Sequence, residues 1–204
     1  RPTEKPKPMS QTDNCTSKPD GRRLRSNRSR QLIIESMLEL IKQGNLVPTA
    51  QQVADHANVG IRSVFRHFED MESIFETASD LCHREYRSLF IGGDRSGTLQ
   101  ERILHASECH ADAYETVSNV MLSGSARRWN SEVLQKSYFD YQHQLRRDLD
   151  EWLPELVSLS ENNRQAVDSI ASFEMWQRLR NIQGLGKTKS IEIIVEMLEV
   201  LIAK

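Results

Sequence analysis

Apolar residues recur every three to four positions along most of the chain, which is the period of helices with one buried face. Ile33, Met37 and Ile41 begin this pattern in the N-terminal third. The alternation of apolar and polar residues that is typical of strands is absent from the sequence. The pattern therefore predicts an all-α chain, with helices at about 26–43, 49–57, 61–68, 69–90, 98–115, 117–127, 131–152, 161–182 and 187–203.

The second and third predicted helices are short and lie close together in the sequence TAQQVADHANVGIRSVFRHF, residues 49–68. Thr49 and Gln52 have the spacing of a capping box at a helix start. Asn58 tolerates the left-handed backbone conformation and can separate the two helices. Two short helices joined by a tight turn form a helix-turn-helix, whose second helix enters the DNA major groove. The sequence therefore predicts a DNA-binding unit in which Arg62 and Arg66 lie on the free face of that helix.

Charge is distributed unevenly, although the formal net charge of the chain is only −2. Residues 1–68 contain 12 basic and 6 acidic side chains, whereas the remainder contains 15 basic and 23 acidic ones. Residues 1–21 are polar and rich in proline, which predicts a disordered tail. Five arginines follow within residues 22–30 and predict a basic arm. A basic N-terminal part indicates an anionic partner such as double-stranded DNA.

The last two predicted helices are apolar on more than one side. A terminal helix of this kind needs cover on two faces, and a second subunit can supply one of them. Two helices from each of two chains would form a four-helix interface, so the sequence predicts a homodimer. The residues assigned to this interface are Phe173, Trp176, Ile191, Ile194, Val195 and Leu198.

Aromatic and sulfur-containing side chains are concentrated in the middle of the chain. Pockets for small molecules are largely apolar with a few polar anchors. The residues predicted to line an effector pocket are Tyr114, Met121, Trp129, Tyr138, Phe139 and Tyr141. Ordinary packing in the core is the alternative interpretation for each of them.

Other chemistry has little support in the sequence. His105 and Cys109 are four residues apart, but further ligands at metal-binding spacing are missing, and a buried thiol is the simpler interpretation. The loop GGDRSG lacks the pattern of a phosphate-binding loop, and no catalytic motif is recognisable. Three cysteines without CxxC spacing fit a reducing compartment. We therefore predict a cytoplasmic protein that is not an enzyme, has no metal or cofactor, and does not associate with membranes.

The stretch TAQQVADHANVGIRSVFRHFEDMESIF, residues 49–75, resembles the helix-turn-helix region of the TetR family of transcriptional regulators. Residues 172–202 are similar to the closing pair of dimer helices in that family, although this pattern is less specific. The resemblance implies a DNA-binding domain over residues 22–70 and a helical effector-binding and dimerisation domain over residues 71–204. It implies a repressor of transcription that acts as a homodimer on a palindromic operator. A small-molecule effector would change the spacing of its two DNA-binding units.

The resemblance also implies particular DNA contacts. Thr49 would hold a phosphate, and Ile61, Arg62 and Ser63 would face base edges or nearby phosphates. Phe65, Arg66 and His67 would touch the backbone and the groove. The arm would lie over phosphates or enter a minor groove, and the arginines assigned to it as contacts are Arg22, Arg23, Arg25 and Arg28.

Two alternatives to a DNA-binding regulator remain open from the sequence. Phe65 and Met71 stand where the family commonly has a tyrosine and a lysine that contact the DNA backbone. A chain with this fold could therefore act through a protein partner without specific operator binding. An all-α enzyme is the third hypothesis, and no motif supports it.

Overall fold

The structure is a computed structural model that describes residues 21–203, except for the side chain of Arg22. No strand occurs in this range, so the predicted all-α class is confirmed. The helices are α1 Gly21–Lys42, α2 Ala50–His56, α3 Ile61–His67, α4 Met71–Ile91, α5 Leu99–Arg127, α6 Glu132–Trp152, α7 Glu161–Ile170, α8 Phe173–Gln177 and α9 Lys187–Ile202. A 3₁₀ turn at Pro154–Ser158 and a π-helical turn at Arg178–Ile182 complete the description. The predicted disordered tail falls outside the described residues, except for Gly21.

Two helix boundaries predicted in the C-terminal part are wrong. Residues Leu99–Arg127 form the single helix α5, because Thr116 does not break the helix but donates its hydroxyl hydrogen to the Asp112 carbonyl at 2.8 Å. Residues 161–182, in contrast, do not form one helix. Ser172 interrupts them and caps α8 by accepting a hydrogen bond from Met175 N at 3.1 Å. Serine and threonine can bond to the backbone either within a helix or at its start, so the sequence alone does not distinguish the two cases.

The predicted basic arm is also corrected, because α1 begins at Gly21 and not near Ser26. Arg25 donates to the Gly21 carbonyl at 3.1 Å, and Ser29 donates to the Arg25 carbonyl at the same distance. Arginine is a good helix former, so a run of arginines can extend a helix as well as form an arm. Arg23, Arg25, Arg28 and Arg30 therefore lie along a helix.

Two hydrophobic clusters organise the helices, and we call α1–α3 the head and α4–α9 the body. The first cluster joins the head to one end of α4 and includes single residues of α5 and α6; its buried members include Ile33, Met37, Ile41, Val53, Val64, Phe68, Ile74, Phe75, Val120 and Leu134. The second cluster lies within the body; its buried members include Phe90, Ile103, Tyr114, Leu149, Trp152, Val167, Phe173, Trp176, Ile194 and Leu198.

The head is attached to the body by polar contacts as well as by packing. Asn119 of α5 donates to the Lys42 carbonyl at 2.9 Å, and Ser123 donates to the Leu46 carbonyl at 2.6 Å. Both acceptors lie at or after the end of α1, where carbonyl groups lack partners within the helix. The predicted domain boundary at residue 70 coincides with the N-cap of α4, but the hydrophobic packing continues across it.

Candidate nucleic-acid interface and internal cavities

The turn between α2 and α3 has the local geometry that its sequence predicts. Thr49 Oγ1 accepts from Gln52 N at 3.3 Å, and Gln52 Oε1 accepts from Thr49 N at 2.8 Å, so the capping box is confirmed. Asn58 has a φ of 52° and is the residue that adopts the left-handed conformation. Val59 N then bonds to the Ala54 carbonyl at 3.0 Å and closes the turn. These contacts fix the direction in which α3 leaves the turn.

Helix α3 has an inner and an outer face that differ in chemistry. Val64 is fully buried in the first cluster, next to Phe68, which follows the helix. Arg62 and Arg66 are exposed on the outside, and Phe65 between them is 48% exposed. The side chains predicted to face DNA bases are therefore on the free side, with Ile61 exposed at the start and Ser63 partly buried.

His67, at the end of α3, is less available than its neighbours. It is partly buried, and its Nε2 atom has no hydrogen-bond partner among the described residues. Burial lowers the pKa of His67, and the nearby positive charges of Arg66 and Arg30 lower it further. Arg30 lies over the Phe68 ring at 4.6 Å from its centroid. The sequence placed Arg30 only in the arm, but the structure places it against Phe68 at the end of α3.

The remaining predicted DNA contacts are divided between the start of α2 and the start of α1. Thr49 is exposed, but its hydroxyl is engaged in the cap, since it also lies 3.2 Å from Gln52 Oε1. Arg23, Arg25 and Arg28 are exposed along the first turns of α1. The side chain of Arg22 lies outside the described residues. Exposed positive charge therefore extends from α3 to the beginning of α1.

A cleft of about 670 Å³, including the part open to solvent, lies between α4, α5 and α6. Of the residues predicted for an effector pocket, Met121, Tyr138 and Tyr141 line this cleft. Trp129 is 71% exposed and Phe139 is also turned to solvent, so neither lines it. Phe139 follows Tyr138 directly in α6, and a helix turns successive side chains by about 100°. On α6 the sequence prediction therefore identified two residues of the lining face, Tyr138 and Tyr141, and wrongly added Phe139.

The polar groups of the cleft were missed by the sequence prediction. His83 stacks on Tyr141 with ring centroids 3.9 Å apart, and its Nε2 atom is 3.5 Å from Ser79 Oγ. Burial lowers the pKa of His83. Arg87 lies at the edge and is paired with Asp148 at 3.0 Å. Ser79, His83 and Arg87 follow one another at intervals of four residues, and this polar stripe on α4 was the signal available in the sequence.

Tyr114 does not line the cleft and belongs to the second hydrophobic cluster instead. Its hydroxyl donates to the Ala171 carbonyl at 2.7 Å. Its ring packs against the Phe173 ring, with the two ring centroids 5.5 Å apart. Burial raises the pKa of Tyr114 well above its usual value. Phe173 lines the cleft from the other side. The Tyr114–Phe173 pair is therefore part of the wall behind the cleft.

The predicted dimer residues are corrected by their burial within the chain. Four of them, Phe173, Trp176, Ile194 and Leu198, are part of the protomer's own core. Only Ile191 and Val195 are partly exposed. The buried stripe of α9 packs against α5, which supplies the cover that the sequence assigned to a second subunit. The apolar side chains that α9 does expose are Met197 and Val200, the latter at 61%.

Metal binding and membrane insertion find no support in the described part of the chain. Residues 21–203 contain no cluster of three or more His, Cys, Asp or Glu side chains suited to a metal ion. Cys109 instead donates to the Leu89 carbonyl at 2.7 Å. Within the same range, no helix has the length and apolarity needed to cross a membrane.

Comparison with known proteins gives matches by structure only. No protein-family profile and no curated protein matches the sequence. A transcriptional regulator from Rhodococcus sp. Rha1 superposes with a TM-score of 0.65 at 14% identity, covering 87% of this chain and 96% of that chain. A TetR-family regulator from Streptomyces coelicolor gives a TM-score of 0.65 at 16% identity, with 85% and 82% covered. A TetR/AcrR-type regulator from Aquifex aeolicus VF5 gives a TM-score of 0.57 at 17% identity, covering 85% of this chain and 99% of that chain. The chain therefore has the fold of the TetR family of transcriptional regulators.

Proposed function

We propose that this protein is a ligand-responsive transcriptional repressor that binds a palindromic operator as a homodimer. The observation that carries the proposal is the outer face of α3, where Arg62 and Arg66 are exposed on a helix fixed by a capped turn. The fold shared with structures of transcriptional regulators supports the same function. These observations favour the regulator hypothesis over an all-α enzyme, which no sequence motif supports.

The chemistry of α3 suits the major groove. An arginine can donate two hydrogen bonds to O6 and N7 of guanine, and each such pair discriminates by about 1–3 kcal/mol. Arg62 and Arg66 are one helical turn apart, so both can reach one groove. Phe65 has no hydroxyl to offer a phosphate, but it can contact a thymine methyl group. The arginines along α1 would supply contacts to phosphates, which determine position and affinity more than sequence preference.

The proposed dimer would use the surface of α9 that the protomer leaves uncovered. Met197 and Val200 are exposed, and Ile193 on the same side is partly exposed. A two-fold interface on this helix would place two copies of α3 on one face of the dimer. In helix-turn-helix dimers the two half-sites lie about 34–36 Å apart, one turn of DNA. The operator would then be a palindrome with this spacing.

The proposed effector would bind in the cleft between α4, α5 and α6. Phe75, Val120 and Leu134 line the cleft and also belong to the first hydrophobic cluster, which supports α1–α3. A ligand that displaces these side chains would move the support of the head. Such a ligand shifts the equilibrium only if it binds one spacing of the two heads more tightly than the other. A change of a few ångströms would prevent both heads from reaching successive grooves.

The experiment that tests this proposal is selection of DNA by the full chain. The purified protein would be mixed with fragments of the source genome, and the bound fragments would be sequenced and footprinted. We expect enrichment of a palindrome with both halves protected. Enrichment of no sequence would overturn the proposal and favour the alternative, a protein of this fold that acts through a protein partner.

A further inference from the structure

The outer face of α3 carries two stripes of exposed side chains, and only one of them is charged. Arg62 and Arg66 form the charged stripe, whereas Ile61 and Phe65, 38% and 48% exposed, form the other. Residues four apart lie one above the other on a helix, so each stripe is about one turn long. Successive residues are about 100° apart around the helix axis, so the two stripes run side by side. We call Ile61 and Phe65 the apolar stripe.

The apolar stripe is not part of the packing that holds α3 in place. Val64, which is fully buried, supplies the inner face of the helix. Neither Ile61 nor Phe65 belongs to the first hydrophobic cluster or to the partly buried side chains that pack against it. A single exposed apolar residue is common on a protein surface. Two large ones, stacked along the free side of a helix, form a surface that gains free energy when it is covered.

The charge of α3 indicates what covers the apolar stripe. The helix contains two arginines and no acidic residue, so the surface beside the stripe is basic. The major groove of DNA offers acceptors for arginine at O6 and N7 of guanine, and it offers one apolar group, the C5-methyl group of thymine. Both stripes of α3 therefore have a chemical complement on the floor of one groove.

We propose that the apolar stripe reads the C5-methyl groups of thymine in the operator, so that Ile61 and Phe65 determine sequence specificity together with the arginines. This inference rests on the proposed function, since it requires that α3 lies in the major groove. The group that is read is the methyl group itself. 5-Methylcytosine carries the same group at the same ring position and satisfies this contact, whereas uracil and cytosine lack it.

The methyl group can be removed or added without changing the pairing of the base. Thymines of the selected operator would be replaced by deoxyuridine, one position at a time and in both half-sites together. In a second series, the same T·A pair would be replaced by a C·G pair or by a 5-methylcytosine·G pair. Thymines between the half-sites are the internal control. Fluorescence anisotropy with the full chain at one salt concentration measures each affinity.

We expect loss of the methyl group to matter at one or two thymine positions of each half-site. Deoxyuridine at such a position in both half-sites should weaken binding by about tenfold, from a factor of about three to four for each methyl group. The operator with 5-methylcytosine should bind more tightly than the operator with cytosine by a similar factor. Deoxyuridine between the half-sites should change the affinity less than about twofold.

Truncation of the apolar stripe assigns each methyl group to a side chain. Phe65→Ala and Ile61→Ala should each abolish the response to deoxyuridine at one thymine position. The matched control is Leu89→Ala, which truncates a side chain of α4 that is 37% exposed and should leave both responses intact. Circular dichroism would confirm that the three variants are folded. The wild-type measurements need no variant, so they test the inference even where a variant does not fold.

Three outcomes would overturn the inference, and they are distinguishable. If the operator is preferred to a scrambled fragment but no deoxyuridine weakens binding more than about twofold, the proposed function stands and the methyl contacts do not exist. If Phe65→Ala and Ile61→Ala retain the full response to deoxyuridine, the methyl groups act through the shape of the DNA and not through contact. If no operator is selected at all, the proposed function itself fails, and this inference fails with it.

Discussion

The head and the body of this protein orient their polar side chains in opposite ways. In the head, Val64 and Phe68 are buried, and Arg62 and Arg66 are directed to solvent. In the body, His110 is buried, and His83 lines a cleft. An outward basic face suits a large polyanion, whose binding is strongly dependent on salt. Enclosed polar groups in apolar surroundings suit a small molecule, whose binding is governed by shape and a few hydrogen bonds.

The surface proposed for DNA and the cleft proposed for a small molecule share one hydrophobic support. Phe75 belongs to the cluster beneath the head and also lines the cleft of the body. Substitutions on the outside of α3 should therefore change DNA binding without changing stability. Substitutions beneath the head should change both, and substitutions at the cleft should act mainly on the body. The following predictions test that division.

The largest effect is expected for the double variant Arg62→Ala/Arg66→Ala. Loss of two base contacts should weaken binding to the selected operator by about 1000-fold, while the free energy of unfolding stays within about 0.5 kcal/mol of wild type. Equilibrium binding measured by fluorescence anisotropy checks the first value, and urea unfolding checks the second. The matched control is Arg84→Ala/Arg147→Ala, which removes the same charge from exposed positions of the body. An equal loss of operator affinity in the two double variants would show that net charge, and not the outer face of α3, determines DNA binding.

Substitutions at two neighbouring residues of α1 test how far the first hydrophobic cluster stabilises the head. Ile33 is fully buried, whereas Leu32 is 38% exposed. Ile33→Ala should lower the free energy of unfolding by about 3 kcal/mol, because it removes methyl groups and leaves a cavity. Leu32→Ala should lower it by about 0.5 kcal/mol. Urea unfolding at one protein concentration measures both, and similar values would contradict the packing of α1 described above.

The buried histidine of the body should make stability dependent on pH. The pKa of His110 is about 4 in the folded chain and 6.5 ordinarily, so at a pH between these two values the unfolded chain binds more protons than the folded chain. Stability should therefore fall as the pH is lowered from about 6.5 to about 4, by up to about 3 kcal/mol from this group. His110→Phe should remove this part of the dependence, whereas His143→Gln at an exposed position should retain it. Parallel urea unfolding series at several pH values decide between the two results.

The smallest effect is expected at Thr49, which caps the start of α2 in the head. Thr49→Ala removes the side-chain acceptor for Gln52 N and should cost about 1 kcal/mol, whereas Thr49→Ser should restore most of it. Operator binding should weaken in Thr49→Ala, since the cap fixes α2 and, through the turn, α3. Thermal unfolding and anisotropy measure the two effects. If Thr49→Ser weakens operator binding as much as Thr49→Ala, the cap hydroxyl is not what positions α3.

The sequence predicted the head more completely than the body because local rules determine the head. The Thr49 cap and the left-handed Asn58 depend on residues that are near one another in the chain, and both are confirmed. In the body, the apolar stripe of α9 predicted a buried face, but only the structure shows that α5 covers it. The same limit applies to Trp129, in the turn after α5, and to Phe139 of α6, since both are exposed and do not line the cleft. Helical periodicity identifies a buried face and not the element that buries it.

The central claim, that α3 reads DNA sequence, is tested most directly by one comparison. The wild-type chain would be titrated with the selected operator and with a scrambled fragment of the same length, over a salt range of about 50–200 mM. We predict that the operator is bound about 1000-fold more tightly or better at each salt concentration, with both affinities falling steeply as salt increases. Equal affinity for the two fragments would contradict the account, because the exposed arginines would then bind phosphates without reading bases.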